Sequence, residues 1–566
     1  MKKTAIFSAL LFFIAFTSSS QAPSLQWVKN IGSTSNEQAN DVAVDAAGNV
    51  YVTGSFSGAA DFDPGPGTFS LTSNGFIDLF ISKFDPSGNF IWAKQIGGGQ
   101  NDVGFSIALD PSANIYIAGY FNSLNTDFDP NATTFTMSPY ASSDGFVCKL
   151  DANGNFIWAK KLGGFAIDYA YAVALDGSNN VYTAGYFTSF NADFDPGPGT
   201  YTLSTAGGND VYISKLDNSG NFVWARSFGG ATQDYCYGIA VDNPGNVYTT
   251  GYYQSTAADF DPGTGTFTLS PIGQFDVFIS KLDVSGNFSW AKSIGGTLDD
   301  QGSGITVDGS GDVYTTGYFQ TNADFDPGVS TFTMGVFGSE DIFISKLDAS
   351  GNFVWAKQLG GLAFDRGNAI TLDVAGNCYT TGYFQSMPGD FDPGPAVANF
   401  TAQGGTPDIF VSKLDASGNY IWAARMGGGL TDEAKGIAVD AAGRVYTTGR
   451  FIGTCDFDPT ASTFTVMSNG NEDIFIHKMN QGSTGINKDF SSSFLNIYPN
   501  PANGTFYFEL DLYSGIVITN VLGQEILNEK RNSGKQTIDL QDQSNGIYFV
   551  KIIQEGKQYI TKIVKE

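Results

Sequence analysis

The stretch GITVDGSGDVYTTGYFQTNADFDPGVSTFTMGVFGSEDIFISKLDASGNFVWAKQLGG, residues 304–361, decides the fold. GITVD is a short β-forming run and GSGD a turn. VYTTGYF is a second run, rich in β-branched and aromatic residues and alternating in character. A long connection follows that contains ADFDPGVSTFTM. DIFISKL is a third strand, DASGN a second turn and FVWAKQLGG a fourth strand. Both turns place an acid before small residues and Gly, the chemistry of a tight hairpin. No segment sustains a period of 3.6 residues, so four antiparallel strands and no helix are predicted.

The unit recurs. Asp-Phe-Asp-Pro begins at Asp61, Asp127, Asp193, Asp259, Asp324, Asp390 and Asp456, in steps of 66 or 65 residues. Trp27, Trp92, Trp158, Trp224, Trp290, Trp355 and Trp422 keep the same count. So do the entries to the third strand, Asp78, Asp144, Asp210, Asp276, Asp341, Asp408 and Asp473. Four-stranded units repeated radially are the blades of a β-propeller. Trp27 precedes any first strand, and the last unit ends at DIFIHKMNQG without its own tryptophan. The N-terminal segment is therefore expected to supply the missing fourth strand, closing a seven-bladed ring and pairing two exposed edges. The expected class is all-β: a propeller over residues 24–480 and a small Ig-like β-sandwich after it.

The pattern GIAVDxxGNVYTTGYF…DIFISKLDxxGNFxWAK is similar to the bacterial β-propeller repeat. The resemblance covers roughly residues 24–480 and implies extracellular or surface scaffolding. It leaves the Asp-Phe-Asp-Pro insertion unexplained. Each tryptophan follows an apolar residue two places earlier, as Phe353 precedes Trp355. Blade packing accounts for them better than sugar stacking; burying one such ring contributes about 4–6 kcal/mol by area.

In such a blade the second-to-third connection and the link to the next blade share one face. The insert lies there, and so does an acid in each link: Glu37, Asp102, Asp168, Asp234, Asp300, Asp365 and Asp432. Calcium takes six to eight oxygen ligands, and the insert acids could supply part of a set. The candidate cation ligands are the pairs Asp61/Asp63, Asp127/Asp129, Asp193/Asp195, Asp259/Asp261, Asp324/Asp326, Asp390/Asp392 and Asp456/Asp458. The competing and favoured reading is an Asx-type turn, in which Asp63 caps the Pro64-Gly65 bend and Phe62 tucks inward.

Composition narrows the function. A net charge of −27 argues against nucleic acid and anionic membranes as partners. One histidine, His477, and four cysteines scattered over different repeat positions offer neither a zinc site, a His-based triad nor a disulfide framework. Five arginines in the propeller are too dispersed for a sialidase site. A catalytic or binding site in a near-symmetric ring should appear as broken symmetry. Arg366, Glu433 and Arg450 break it near the sixth and seventh blades and form the candidate ligand pocket. The expectation is a non-enzymatic binding or adhesion scaffold for an extracellular protein or glycan, read as a monomer. The alternative is a carbohydrate-active hydrolase or lyase using those residues near the ring closure.

The two ends speak to export. Lys2 and Lys3 precede an apolar run, Ala5–Phe16, and small residues, so residues 1–20 read as a signal peptide. No later run approaches the length of a membrane helix. Residues 481–493 are polar and linker-like. Residues 494–566 alternate short strands with Gly/Asn/Pro turns. They resemble the type A C-terminal sorting domain of the type IX secretion system, through Tyr498-Pro499-Asn500-Pro501, Asn520–Gln524 with Gly523, Gly546–Lys551 and the final Lys-rich strand. Gln524 stands where that family often has Lys or Arg. The resemblance implies the type IX machinery as a partner and a secreted or outer-surface location.

Overall fold

The computed structural model describes residues 23–481, 497–510, 513–520, 524–554 and 557–566. Residues 1–20, all of 481–493 but Gln481, and Gly523 lie outside the described residues. The chain divides into two compact units, one ending at Gly482 and one beginning at Ser483.

The first unit is built of four-stranded antiparallel sheets. In residues 301–361 the strands are Gln301–Val307, Val313–Phe319, Asp341–Leu347 and Phe353–Gly361. They pair in chain order, with Val307 opposite Val313, Phe319 opposite Asp341 and Leu347 opposite Phe353. The same pairing recurs in the other repeats. The second and third strands of this sheet are buried along their whole length. They stand mid-sheet, with one face packed on the preceding repeat's sheet and the other on the next repeat's.

The last repeat has three strands of its own, Asp432–Val439, Val445–Asp456 and Thr465–Asn480. The N-terminal strand Ser24–Ile31 pairs with the third, and Trp27 faces Lys478. Trp355 faces Lys346 in the same register. First strands touch from one sheet to the next. Asn40 Nδ2 donates to the Gly104 carbonyl at 2.8 Å, and Asn368 Nδ2 to that of Ala434 at 2.8 Å. The last meets the first as well: Gly436 lies so close to Asp41 that a Cβ would come within 2.9 Å of its Cα. Val42 and Val50 share one apolar core with Tyr446, Ile474 and Ile476.

Tryptophans knit neighbouring sheets. Trp355 Nε1 donates to the Ala416 carbonyl, 3.3 Å away in the next repeat's turn. The turn glycine there, Gly418, has φ +78° and lies against the Trp355 ring. A side chain would fail twice at that position, on backbone conformation and on space.

The four cysteines are buried thiols with no disulfide. His477 is buried, its Nε2 3.1 Å from the Phe457 carbonyl oxygen, and burial pushes its pKa down to about 4. Neither arrangement offers a reactive group.

The second unit has two sheets around one core. Thr505–Leu510 pairs with Gly534–Asp539. Glu525–Arg531, Ser514–Asn520, Gly546–Gln554 and Lys557–Lys565 form the other sheet in that order. Phe506, Phe508, Ile516, Ile518, Val550 and Ile563 fill the space between. Within the sorting motif, Tyr498 exchanges backbone hydrogen bonds with Tyr507, at 2.9 and 2.7 Å. Asn500 binds the last strand through the Lys562 carbonyl and the Val564 amide. Pro499 and Pro501 flank it, and Gly546 opens its strand with φ +157°.

Candidate functional site

The inserts are the first place to look. Each is a short hairpin, such as Asn322–Asp324 against Thr333–Gly335. Asp324 Oδ1 accepts from the amides of Asp326 at 3.0 Å and Phe332 at 2.8 Å. Asp326 Oδ1 accepts from the Gly328 amide at 2.8 Å. Phe325 is buried edge-on against Phe319, with centroids 5.2 Å apart. The first acid of every insert, from Asp61 through Asp127, Asp193, Asp259 and Asp390 to Asp456, binds the same two amides. The second acid caps the following bend in every case: Asp63, Asp129, Asp195, Asp261, Asp392 and Asp458. These are turns. Among the described residues no three His, Cys, Asp or Glu side chains converge on a cation-sized site. The Oδ1 atoms of the insert acids are thus engaged by backbone amides, as the turn reading expects.

The link acids lie at the same end, but the structure does not present them there. They are buried at the sheet junctions. Asp365 Oδ2 accepts from the Gly361 amide at 2.8 Å and Ser386 Oγ at 2.5 Å, and Oδ1 from the Gln385 amide at 2.8 Å. Beside it stands the buried Asp341, whose Oδ1 has no partner. Gly360 runs between the two: a Cβ there would meet Asp365 Oδ2 at 2.7 Å and Asp341 Oδ1 at 2.8 Å. Burial, and then the neighbouring Asp365 charge, push Asp341 up to about 7. Burial likewise raises Asp300 to about 7 and Asp432 to about 8.

What remains is the inner rim, formed at this end by the first two strands of each sheet. Here the repeat loses its symmetry. Tyr169, Tyr235, Arg366 and Glu433 follow the junction acid. Across the strand pair they face Tyr186, Tyr252, Tyr383 and Arg450 respectively. From the second repeat to the fourth the rim is aromatic. Tyr120 and Tyr169 stack at 4.2 Å and 19°. Phe105 and Tyr171 lie 4.6 Å apart, Tyr171 and Tyr237 5.1 Å, and Tyr186 and Tyr235 4.5 Å.

The other side of the rim is ionic. Arg366 binds Glu340 through two hydrogen bonds, at 2.5 and 2.9 Å, and its guanidinium lies 4.1 Å from the Tyr318 ring centre. Glu433 is held by Lys435 at 2.6 Å and Arg450 at 3.0 Å. Arg450 also binds Glu472 at 2.6 Å. Burial alone would raise the Glu433 carboxyl, but Lys435 and Arg450 hold it below the usual range. Asn368 Nδ2, 3.2 Å from Glu433 Oε1, joins the strand of Arg366 to this cluster.

Glu433 and Arg450, singled out from sequence, are thus direct partners, and Arg366 belongs to a neighbouring ion pair. Sequence reasoning missed Glu340, Lys435, Glu472 and the tyrosines. Their signal was positional: Glu340 and Glu472 each precede the acid that opens a third strand, where other repeats carry Ile, Ser, Asn, Phe or Pro.

Comparison with known proteins agrees with this architecture. A β-propeller repeat matches at residues 26–59, 91–127, 223–255 and 290–326. A secretion system C-terminal sorting domain matches at residues 496–566. The sorting domain is of the type IX kind, which marks the protein for export and for attachment at the cell surface or secretion. An uncharacterized WD repeat-containing protein of Acanthamoeba polyphaga mimivirus is 24% identical over 75% of this chain and 36% of its own length. The regulatory protein FlaEY of Caulobacter vibrioides is 23% identical over 73% of this chain and 43% of its own length. The chain thus spans less than half the length of either relative.

Proposed function

We propose that this chain is a closed seven-bladed propeller that the type IX machinery exports as a non-enzymatic binding module for an extracellular protein or glycan, and that it meets its ligand at the inner rim of the insert end. One observation carries this reading. The Asp-Phe-Asp-Pro inserts, the junction acids and the turns repeat almost unchanged, while the rim diverges into an aromatic arc and an ionic arc. A scaffold with no ligand has no need of that divergence.

The ionic arc favours binding over hydrolysis. A glycosidase needs one carboxyl held protonated and another free to attack or to activate water. Glu433 is kept ionised between two cations, and Glu340 is engaged on both oxygens by Arg366 and by Gln320 at 2.9 Å. The test pairs a glycan and protein-ligand array with a panel of glycosidase and lyase substrates, on the wild type and Glu433→Gln. Binding without turnover, weakened about tenfold by the substitution, is expected. Turnover that disappears with Glu433→Gln would overturn the binding reading in favour of a hydrolase or lyase.

A further inference from the structure

The rim also points to the kind of ligand. We propose that the aromatic arc is a subsite for a neutral polysaccharide, whose pyranose rings lie against Tyr120, Tyr169 and Tyr171 while their hydroxyls bond to tyrosine hydroxyls and to the ionic arc. This rests on the preceding reading that the rim is the binding surface.

Three observations lead there. First, the arc is made of tyrosine more than of aliphatic residues. A phenol ring offers an apolar face to the C–H face of a sugar and a hydroxyl to its edge. Tyr120, Tyr169, Tyr171 and Tyr237 are all half-buried, so each keeps part of its surface in solvent, and they pack on one another and on Phe105. Second, the ionic arc is internally neutralised. Arg366, Lys435 and Arg450 are each paired with a glutamate. No cation in it is left to hold an acidic sugar, and a net charge of −27 repels polyanions. Carboxylates and guanidinium groups fixed in this way still accept and donate bonds to sugar hydroxyls. Third, the loops beside the aromatic arc expose Leu124 (73%), Phe165 (74%) and Phe190 (72%). They are further exposed apolar surface in the same repeats, which a ligand longer than one ring can cover.

The experiment measures binding of the secreted protein to a neutral β-glucan, a mannan and, as the polyanion, pectate. It compares the wild type with Tyr169→Ala, Tyr169→Phe and Glu433→Gln, each checked for an unchanged melting temperature. Binding to a neutral polymer that survives roughly 0.5 M salt is expected. Tyr169→Ala should weaken it about tenfold or more, and Tyr169→Phe, which keeps the ring, only a few-fold. Salt-sensitive binding of pectate alone overturns the neutral-ligand proposal and leaves the rim as the site. The same follows if no polysaccharide binds while a surface protein is captured in a Tyr169-dependent way. Neutral binding indifferent to Tyr169→Ala and Glu433→Gln alike sinks the proposal together with the rim reading.

Discussion

The two ends of the repeat domain use the same residue, aspartate, to opposite electrostatic effect. At the turn end Asp348 is nearly exposed and accepts from the amides of Ser350 and Asn352 and from Asn352 Nδ2, at 2.8 to 2.9 Å. Its slight burial is outweighed by the Asn352 and Ser350 hydrogen bonds, which hold the carboxyl below its usual range; Asp85, Asp151, Asp217, Asp283 and Asp415 behave alike. At the insert end Asp168, Asp234, Asp300, Asp365 and Asp432 also accept hydrogen bonds, yet burial drives them upward. In these five acids burial outweighs the hydrogen bonds, and in the turn acids the hydrogen bonds outweigh burial.

That contrast can be broken at several points. The largest effect is expected from the junction. Asp365→Ala leaves buried donors on Gly361, Gln385 and Ser386 without an acceptor and should cost about 3–5 kcal/mol in denaturant unfolding. Asp348→Ala exposes its amides to water and should cost about 1 kcal/mol. Equal losses would show that the ends are not energetically distinct.

A smaller effect lies in pH. Asp341, Asp300 and Asp432 at the junctions have raised values, so the folded chain binds more protons than the unfolded chain between the usual carboxylate range and about 7 or 8. Stability from this end is therefore full below the usual carboxylate range and falls as pH rises from there to about 7 or 8. The turn acids have lowered values, so their contribution is present above the usual carboxylate range and is lost as pH falls below it. The melting temperature should peak in the usual carboxylate range, near roughly pH 4. Asp341→Asn should flatten the alkaline limb and Asp348→Asn the acid limb; a profile with no alkaline fall would remove the buried-acid account.

The smallest effect is expected from metal. With the insert acids committed to backbone amides, a chelator should move the melting temperature by less than about 1 °C. A rise of several degrees on adding calcium would return Asp61, Asp63 and their counterparts to the role of cation ligands.

Much of the fold was legible because its information is local. Alternation of apolar residues sets the strands, Asp-x-x-Gly-Asn sets the hairpins, and Asp-Phe-Asp-Pro sets an insert whose phenylalanine turns inward. The candidate site was half legible. Arg366, Glu433 and Arg450 stood out as rare charges, but Glu433 and Arg450 meet only because strand register puts them opposite each other. Arg366 finds Glu340 across 26 residues and a sheet boundary. The tyrosines looked like ordinary strand formers, and only the meeting of three neighbouring sheets makes them a surface.

By itself, then, the sequence determined the repeat, its strands and turns, and the identity of the export domain, because each depends on contacts between near neighbours in the chain. Tertiary structure alone decided which acids meet water. The link acids and the turn acids are both short-range hydrogen-bond caps by sequence, and only the packing of one sheet on the next excludes solvent from the first set and leaves it at the second.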